Sequence, residues 1–187
     1  MTTGLVLDPT SSPANDITSP GPDAGELAGK TVGFRVDILW RSWDWVAEVW
    51  ATELRKLGAE VKFWRPQGRS GKEGDQALQE LDAFTNTINV AIVGLGNCGS
   101  CTGWTIHDAL AAAKKDLPTV AICTRHFEQL GEALSRRGGR SGLRRFILPY
   151  PLDVLPREEV EKIAREHFPL LLQHIGAKTP VEGRQAA

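Results

Sequence analysis

Val90-Ala91-Ile92-Val93-Gly94-Leu95-Gly96 is an unbroken apolar run, followed after Asn97 by Cys98-Gly99-Ser100-Cys101-Thr102 and then by a helix-patterned stretch. A short apolar run bounded by turn residues reads as a strand buried on both faces, the kind found in the middle of a parallel sheet. The pattern repeats outward from it. Residues 31–36 read as a second buried strand. Residues 43–57 carry apolar side chains at 43, 46, 47, 50, 54 and 57, a helical spacing, and Gly58 stops them. Residues 60–64 are a strand, 66–74 a polar loop and 75–85 a helix, and a third strand is read over 88–94. After the cysteine turn the spacing predicts a helix over 102–115, a strand over 119–123, a helix over 125–137 ended by Gly138-Gly139, a strand over 145–148 and a helix over 156–175.

Strict alternation of strands and helices with short connections predicts an α/β protein. The expected form is a single doubly wound, flavodoxin-like parallel sheet of five strands in the order 2-1-3-4-5. The domain is expected over 26–176. Residues 1–25, rich in Pro, Gly, Ser and Thr, read as a mostly flexible tail, with Val6-Leu7-Asp8-Pro9-Thr10 alternatively a short element pinned to the body. Residues 177–187 read as a second flexible tail. Ligands of such sheets bind beyond the carboxyl ends of the strands, which here carry Asp37 to Trp40, Arg65, Gly96 to Cys101, Thr124 to His126 and Pro149 to Pro151.

Composition narrows the function classes. With 187 residues, 41% apolar and 24% charged, the chain is long enough for one core and has no exotic bias. A net charge of −1 gives no support to nucleic-acid or polybasic membrane binding. No secretory signal or spanning segment is read, and the expected location is cytoplasmic. Three cysteines, two of them in a C-x-x-C, indicate redox chemistry or a metal rather than a disulfide scaffold.

Two thiols three positions apart at a strand-to-helix turn point to chemistry. The N–H groups and dipole of a helix start favour a thiolate at Cys98, and Cys101 is near enough to resolve what Cys98 forms. Gly96, Asn97, Gly99, Ser100 and Thr102 are candidate binding residues, the glycines for a tight turn and Ser100 or Thr102 as the helix cap. Zinc competes as a reading, but Cys123, His107 and His126 form no second paired motif, so no metal is expected. The glycine spacing matches neither dinucleotide nor P-loop fingerprints, and no cofactor is expected.

Other residues are weighed against plainer roles. His126, after the fourth strand, is a candidate acid/base, and Trp104 a candidate lid over the thiols. Arg65 and Arg125 are candidate carboxylate ligands, each also readable as a surface charge. Asp37 and Trp40 stand beside the same edge. His107, His167, His174 and Cys123 read as structural. Trp43 and Trp50 fall on a core face. Trp40 and Trp45 do not, and exposed indoles would favour a homo- or hetero-oligomer.

The run AIVGLGNCGSCTGWTIHDA, with GKTVGF upstream, LPYPL after the last strand and the early VLDPT, resembles the UGSC family over roughly residues 5–175. That family is named for selenocysteine-Gly-Ser-Cys and is distantly similar to the selenoprotein B subunits of glycine and betaine reductases. The resemblance implies that Cys98 occupies the selenocysteine position and Cys101 that of the paired thiol.

The expected function is a thiol-based redox enzyme in which a Cys98 thiolate attacks an electrophilic sulfur or carbon of a small substrate and Cys101 resolves the adduct as a disulfide. An external thiol reductant or partner protein then restores the pair. A persulfide sulfur-transfer or C–S bond-forming subunit, and a redox-sensing assembly subunit, are the alternatives. A two-thiol racemase fits less well, since such enzymes place one cysteine in each of two similar domains.

Overall fold

Side-chain alternation along the central strands decides which helix covers which face. The computed structural model describes residues 15–178. In chain order these form β1 (Gly25–Glu26), β2 (Thr31–Arg35), α1 (Arg41–Lys56), β3 (Glu60–Trp64), α2 (Gly71–Thr85), β4 (Val90–Gly96), α3 (Gly99–Ala113), β5 (Thr119–Thr124), α4 (Glu128–Arg137), β6 (Arg144–Leu148), α5 (Arg157–His174) and β7 (Ala177–Lys178). A 3-10 turn over Arg125–Phe127 leads into α4. The main sheet has the order β3-β2-β4-β5-β6, every neighbour parallel. Counted without β1, this is the expected order 2-1-3-4-5, and the fold is flavodoxin-like.

Val90 and Ile92 of β4, with Val120 and Ile122 of β5, face the core shared with α1 and α5, where Trp43, Trp50 and Leu171 are fully buried. Ala91 and Val93, with Ala121 and Cys123, face the other way, against Ile106 and Ala109 of α3. Strands buried on both faces explain the continuous apolar text. The same pleat puts Phe34 of β2 in the α1 core and aims Arg35 at α3.

Tryptophan placement removes the premise behind the expected oligomer. Among the described residues no indole is exposed: Trp40 and Trp45 pack on the α1 core, and the Arg157 guanidinium lies 6.0 Å from the Trp45 ring.

Three helices start earlier than their apolar spacing suggests, α1 by two residues, at Arg41 rather than 43. α2 begins at Gly71 rather than 75, with extended Ser70 at its cap position, and its polar first turn carries no periodic signal. α3 begins at Gly99 rather than 102, because the cap is Cys98 and not Ser100 or Thr102.

Where it is described, the segment read as an N-terminal tail lies against the body of the domain. Ile17 exchanges backbone hydrogen bonds with Gly139 and Gly142, and Asp16 accepts the N–H and hydroxyl of Ser141. Arg144 donates to the carbonyls of Pro20 and Pro22 and to Asp23. β1 then pairs with β7, so Ala177 and Lys178 are held as well. These partners are backbone groups, one serine hydroxyl and one arginine, which leave no hydrophobic period to read. Val6-Leu7-Asp8-Pro9-Thr10 lies outside the described residues. Among the described residues no helix is long and apolar enough to cross a membrane.

Gly94 is needed for packing, not for a turn: a Cβ there would sit 2.6 Å from the Trp43 ring. Gly94→Ala should therefore lose about 1–3 kcal/mol through overpacking. Gly103 of α3 has nothing within 4 Å of an added Cβ. Gly103→Ala should gain up to about 1 kcal/mol from helix propensity. Urea midpoints that move in opposite directions check both.

Candidate functional site

β4 delivers the chain to the carboxyl edge of the sheet, and the next residues fold back at once into α3. Cys98 is extended and caps α3 with its own sulfur, which accepts the Cys101 backbone N–H at 3.1 Å. The Ser100 hydroxyl lies 3.4 Å from the same sulfur. Thr102 is fully buried, and its N–H and hydroxyl both return to the Cys98 carbonyl, at 2.9 and 2.7 Å. The turn is thus closed on itself, with the sulfur and the carbonyl of Cys98 as its acceptors.

This geometry separates the two thiols. Partial burial of Cys98 opposes ionisation. Hydrogen bonds from the Cys101 thiol, the Ser100 hydroxyl and the Cys101 N–H outweigh it and hold Cys98 below the ordinary cysteine range, with the Asp37 charge pulling the other way. Burial, and then donation to Cys98, push Cys101 up to about 12; the Trp40 indole opposes this, and the charges of Asp37 and Cys98 add to it. Burial likewise pushes Cys123 up to about 12. Cys98 is partly exposed, whereas Cys101 and Cys123 are buried, and all three are free thiols.

Beside the pair lies a cleft of about 150 Å³ whose lining includes Cys101, Ser100, Trp104, Asp37, Arg35 and Arg69. Sequence reasoning missed the charged frame behind it. Arg35, 1% exposed, donates from Nε to Asp108 at 2.9 Å and from Nη1 to Asp37 and the Gly94 carbonyl, at 3.1 and 2.7 Å. Arg69 reaches in from the β3–α2 loop and donates both terminal nitrogens to Asp108. Its guanidinium lies 5.7 Å from the Trp64 ring and 5.0 Å from the Trp104 ring. Asp108 is completely buried. Burial works against its charge, but the His107 hydrogen bond and the charges of Arg35 and Arg69 hold it below the usual carboxylate range. The signal was there to read: an arginine inside an apolar strand, and an aspartate between Ile106 and Ala109 on a core-facing helix.

The other expected residues divide. Asp37 is buried, accepts from Arg35 and from the Leu39 N–H at 2.8 Å, and borders the cleft, as Trp104 does. Trp40 packs on the α1 core, and its indole nitrogen is buried without a conventional hydrogen bond. Asn97 is engaged in bracing: its amide donates to Asp153 and its oxygen accepts from Thr124 at 2.8 Å. Asp153 also accepts from Ser42 of α1. Gly96 is a packing glycine, since a Cβ would meet Cys123 Sγ at 2.8 Å, whereas Gly99 faces open space.

Arg65 is exposed and bonds to the Asp37 carbonyl and to Asp44. Arg125 is exposed and pairs with Glu128. His126 is exposed and stacks on Tyr150 with ring centres 5.0 Å apart; no hydrogen bond joins it to either thiol. Arg65, Arg125 and His126 do not line the cleft. Among the described residues no group of three or more His, Cys, Asp or Glu is placed to hold a metal ion.

Fold and site together define a doubly wound α/β domain with a polarised Cys-x-x-Cys pair at the carboxyl edge of its sheet. The family model described as the UGSC family matches residues 5–177. The chain belongs to the UGSC family. Comparison with curated proteins finds no match.

Two measurements check the electrostatics. Alkylation of Cys98 should become half-maximal below the pH of an ordinary thiol, while Cys101 stays unreactive until close to pH 12; Asp37→Asn should move the Cys98 profile lower still. Asp108→Ala removes the carboxylate shared by Arg35 and Arg69, leaving Arg35 only Asp37 as an ion partner, and should cost about 3–5 kcal/mol at neutral pH. Because the folded-state value of Asp108 is depressed, its stabilisation is complete above the unfolded carboxylate pKa and lost as pH falls through the folded one. The variant's stability should accordingly vary less with pH on the acid side, as read by urea unfolding from pH 6 to 3.

Proposed function

We propose that the protein is a thiol-based redox enzyme. The Cys98 thiolate attacks an electrophilic sulfur or carbon centre of a small substrate, and Cys101 resolves the adduct. The observation that supports this reading is the opposite treatment of two neighbouring thiols. The partly exposed sulfur collects hydrogen bonds that favour its anion, and the buried one keeps its proton. A nucleophile and a resolving thiol need this division.

In the first step a bond forms between the Cys98 sulfur and the substrate atom, and that atom's leaving group departs with the bonding pair. Adduct formation removes the Cys98 charge, one of the influences that keep Cys101 protonated. Cys101 then ionises more readily, and its sulfur attacks the Cys98 sulfur. The substrate fragment leaves with the electron pair and takes up a proton. The substrate has gained two electrons and the pair has become a disulfide, which an external dithiol reduces by exchange.

A small aromatic disulfide tests this without knowledge of the substrate. The native chain should release both aryl thiolates and end as the internal disulfide. Cys101→Ser should release one and retain a mixed disulfide visible by intact mass. Cys98→Ser should react at least about a hundredfold more slowly, the expected loss when only buried, protonated thiols remain. Unchanged reactivity of Cys98→Ser refutes the assignment.

A further inference from the structure

Trp40 carries a buried indole N–H with no conventional hydrogen bond among the described residues. Buried donors are almost always paired, so one left open in a packed wall calls for a cause. The ring itself is firmly held. Trp40 stands at the cap position of α1, its carbonyl accepts the N–H groups of Trp43 and Asp44 at 3.1 and 3.4 Å, and its side chain packs on the α1 core. The three residues before it, Asp37, Ile38 and Leu39, border the cleft that Cys101 also lines. The indole N–H is directed at the Cys101 sulfur. A neutral thiol sulfur is a weak acceptor, so the contact adds little while Cys101 keeps its proton. A thiolate in the same place is a strong acceptor.

The resolving step needs such a donor. In it the Cys101 sulfur bonds to the Cys98 sulfur, and the bond from Cys98 to the substrate fragment breaks. The fragment leaves with the electron pair and takes up the proton that Cys101 has given up. Negative charge must therefore gather first on a residue that is only 3% exposed, where water solvates it poorly. The charged groups around Cys101 are Cys98 and Asp37, with Arg35 and Arg69 on the walls of the same cleft. Cys98 is neutral in the adduct, and Asp37 opposes a second negative charge. Arg35 and Arg69 are engaged by Asp37 and Asp108. An N–H fixed where the charge will develop needs no rearrangement when it does.

We propose that the Trp40 indole N–H is a donor held ready for the Cys101 sulfur, its bond tightening as that sulfur becomes negative during resolution. The assignment rests on the reading of Cys98 as nucleophile and Cys101 as resolving thiol, and adds the group that makes the second thiol usable. It also moves Trp40 from the substrate side of the site to the service of a protein sulfur.

The aromatic disulfide described above separates the two thiols, because the first aryl thiolate released reports attack by Cys98 and the second reports resolution by Cys101. Trp40→Phe keeps an aromatic ring and removes the N–H. Replacing the same indole by benzothiophene removes the N–H and keeps the two-ring shape. In both variants the second release should slow at least about tenfold, the lower end for a hydrogen bond to a charged group, and its pH profile should move to higher pH. The first release should stay within about twofold of the native rate. A second release with the native rate and pH profile overturns the proposal. So does equal slowing of both releases, the sign of a packing role alone. In the native chain, one of the six tryptophan indole N–H protons should show a nuclear Overhauser contact to the Cys101 β protons. Absence of that contact overturns the proposal even if neither variant folds. A native chain that releases no first aryl thiolate overturns the reading of Cys98, and this proposal with it; a normal first release beside an unaffected second one overturns this proposal alone.

Discussion

The Cys101 N–H donating to the Cys98 sulfur is the contact on which the site depends. It closes the turn between β4 and α3, fixes where the helix begins, and adds to the Cys101 and Ser100 side-chain hydrogen bonds that lower the Cys98 pKa. Helix starts leave backbone N–H groups without partners, and an oxygen side chain ordinarily fills one. Here a sulfur does so, and the cap is the same atom whose anion the surrounding hydrogen bonds favour. Everything around the turn preserves this arrangement. Thr102 ties its hydroxyl to the Cys98 carbonyl, and Asn97 is braced to Thr124 on one side and Asp153 on the other.

Behind the turn stands a frame of buried charge. Arg35 of β2, Asp108 of α3 and Arg69 of the β3–α2 loop meet in one network, with Asp37 attached to it. Such a network is poor evidence of stability, because desolvation offsets most of the attraction. Its geometric effect is firmer. Three separate elements are referenced to one carboxylate, and the same side chains form the wall of the cleft. Asp153 performs a similar service on the opposite side, joining the Cys98 turn to the start of α1 through Asn97 and Ser42.

Most of the architecture could be read from the chain because its central strands are buried on both faces and its helices carry clear stripes. The flavodoxin-like order, the position of the cysteine turn and the buried faces of Trp43 and Trp50 follow from that text. What escaped reading depends on contacts between distant residues. Arg35 and Asp108 are far apart in sequence, and each looks like an exception within an apolar segment until they are seen together. His126, Arg65 and Arg125 sit at the expected sheet edge, but their side chains turn to Tyr150, Asp44 and Glu128 instead. Edge position can be read from topology, whereas side-chain direction depends on neighbours supplied by other elements. The docked segment from Asp16 to Glu26 was missed for the same reason, since its partners are carbonyls and single polar groups.

The sulfur cap has a consequence for the oxidation–reduction balance of the pair. Hydrogen bonds that favour the Cys98 anion stabilise the reduced dithiol, and a Cys98–Cys101 disulfide would forfeit that advantage because its sulfurs are neutral. A couple whose reduced form is favoured has a raised reduction potential and parts with its disulfide readily. The opening turn of α3 thus favours the reduced form of its two thiols through hydrogen bonds from the Cys101 thiol, the Ser100 hydroxyl and the Cys101 N–H, and not through an added charge.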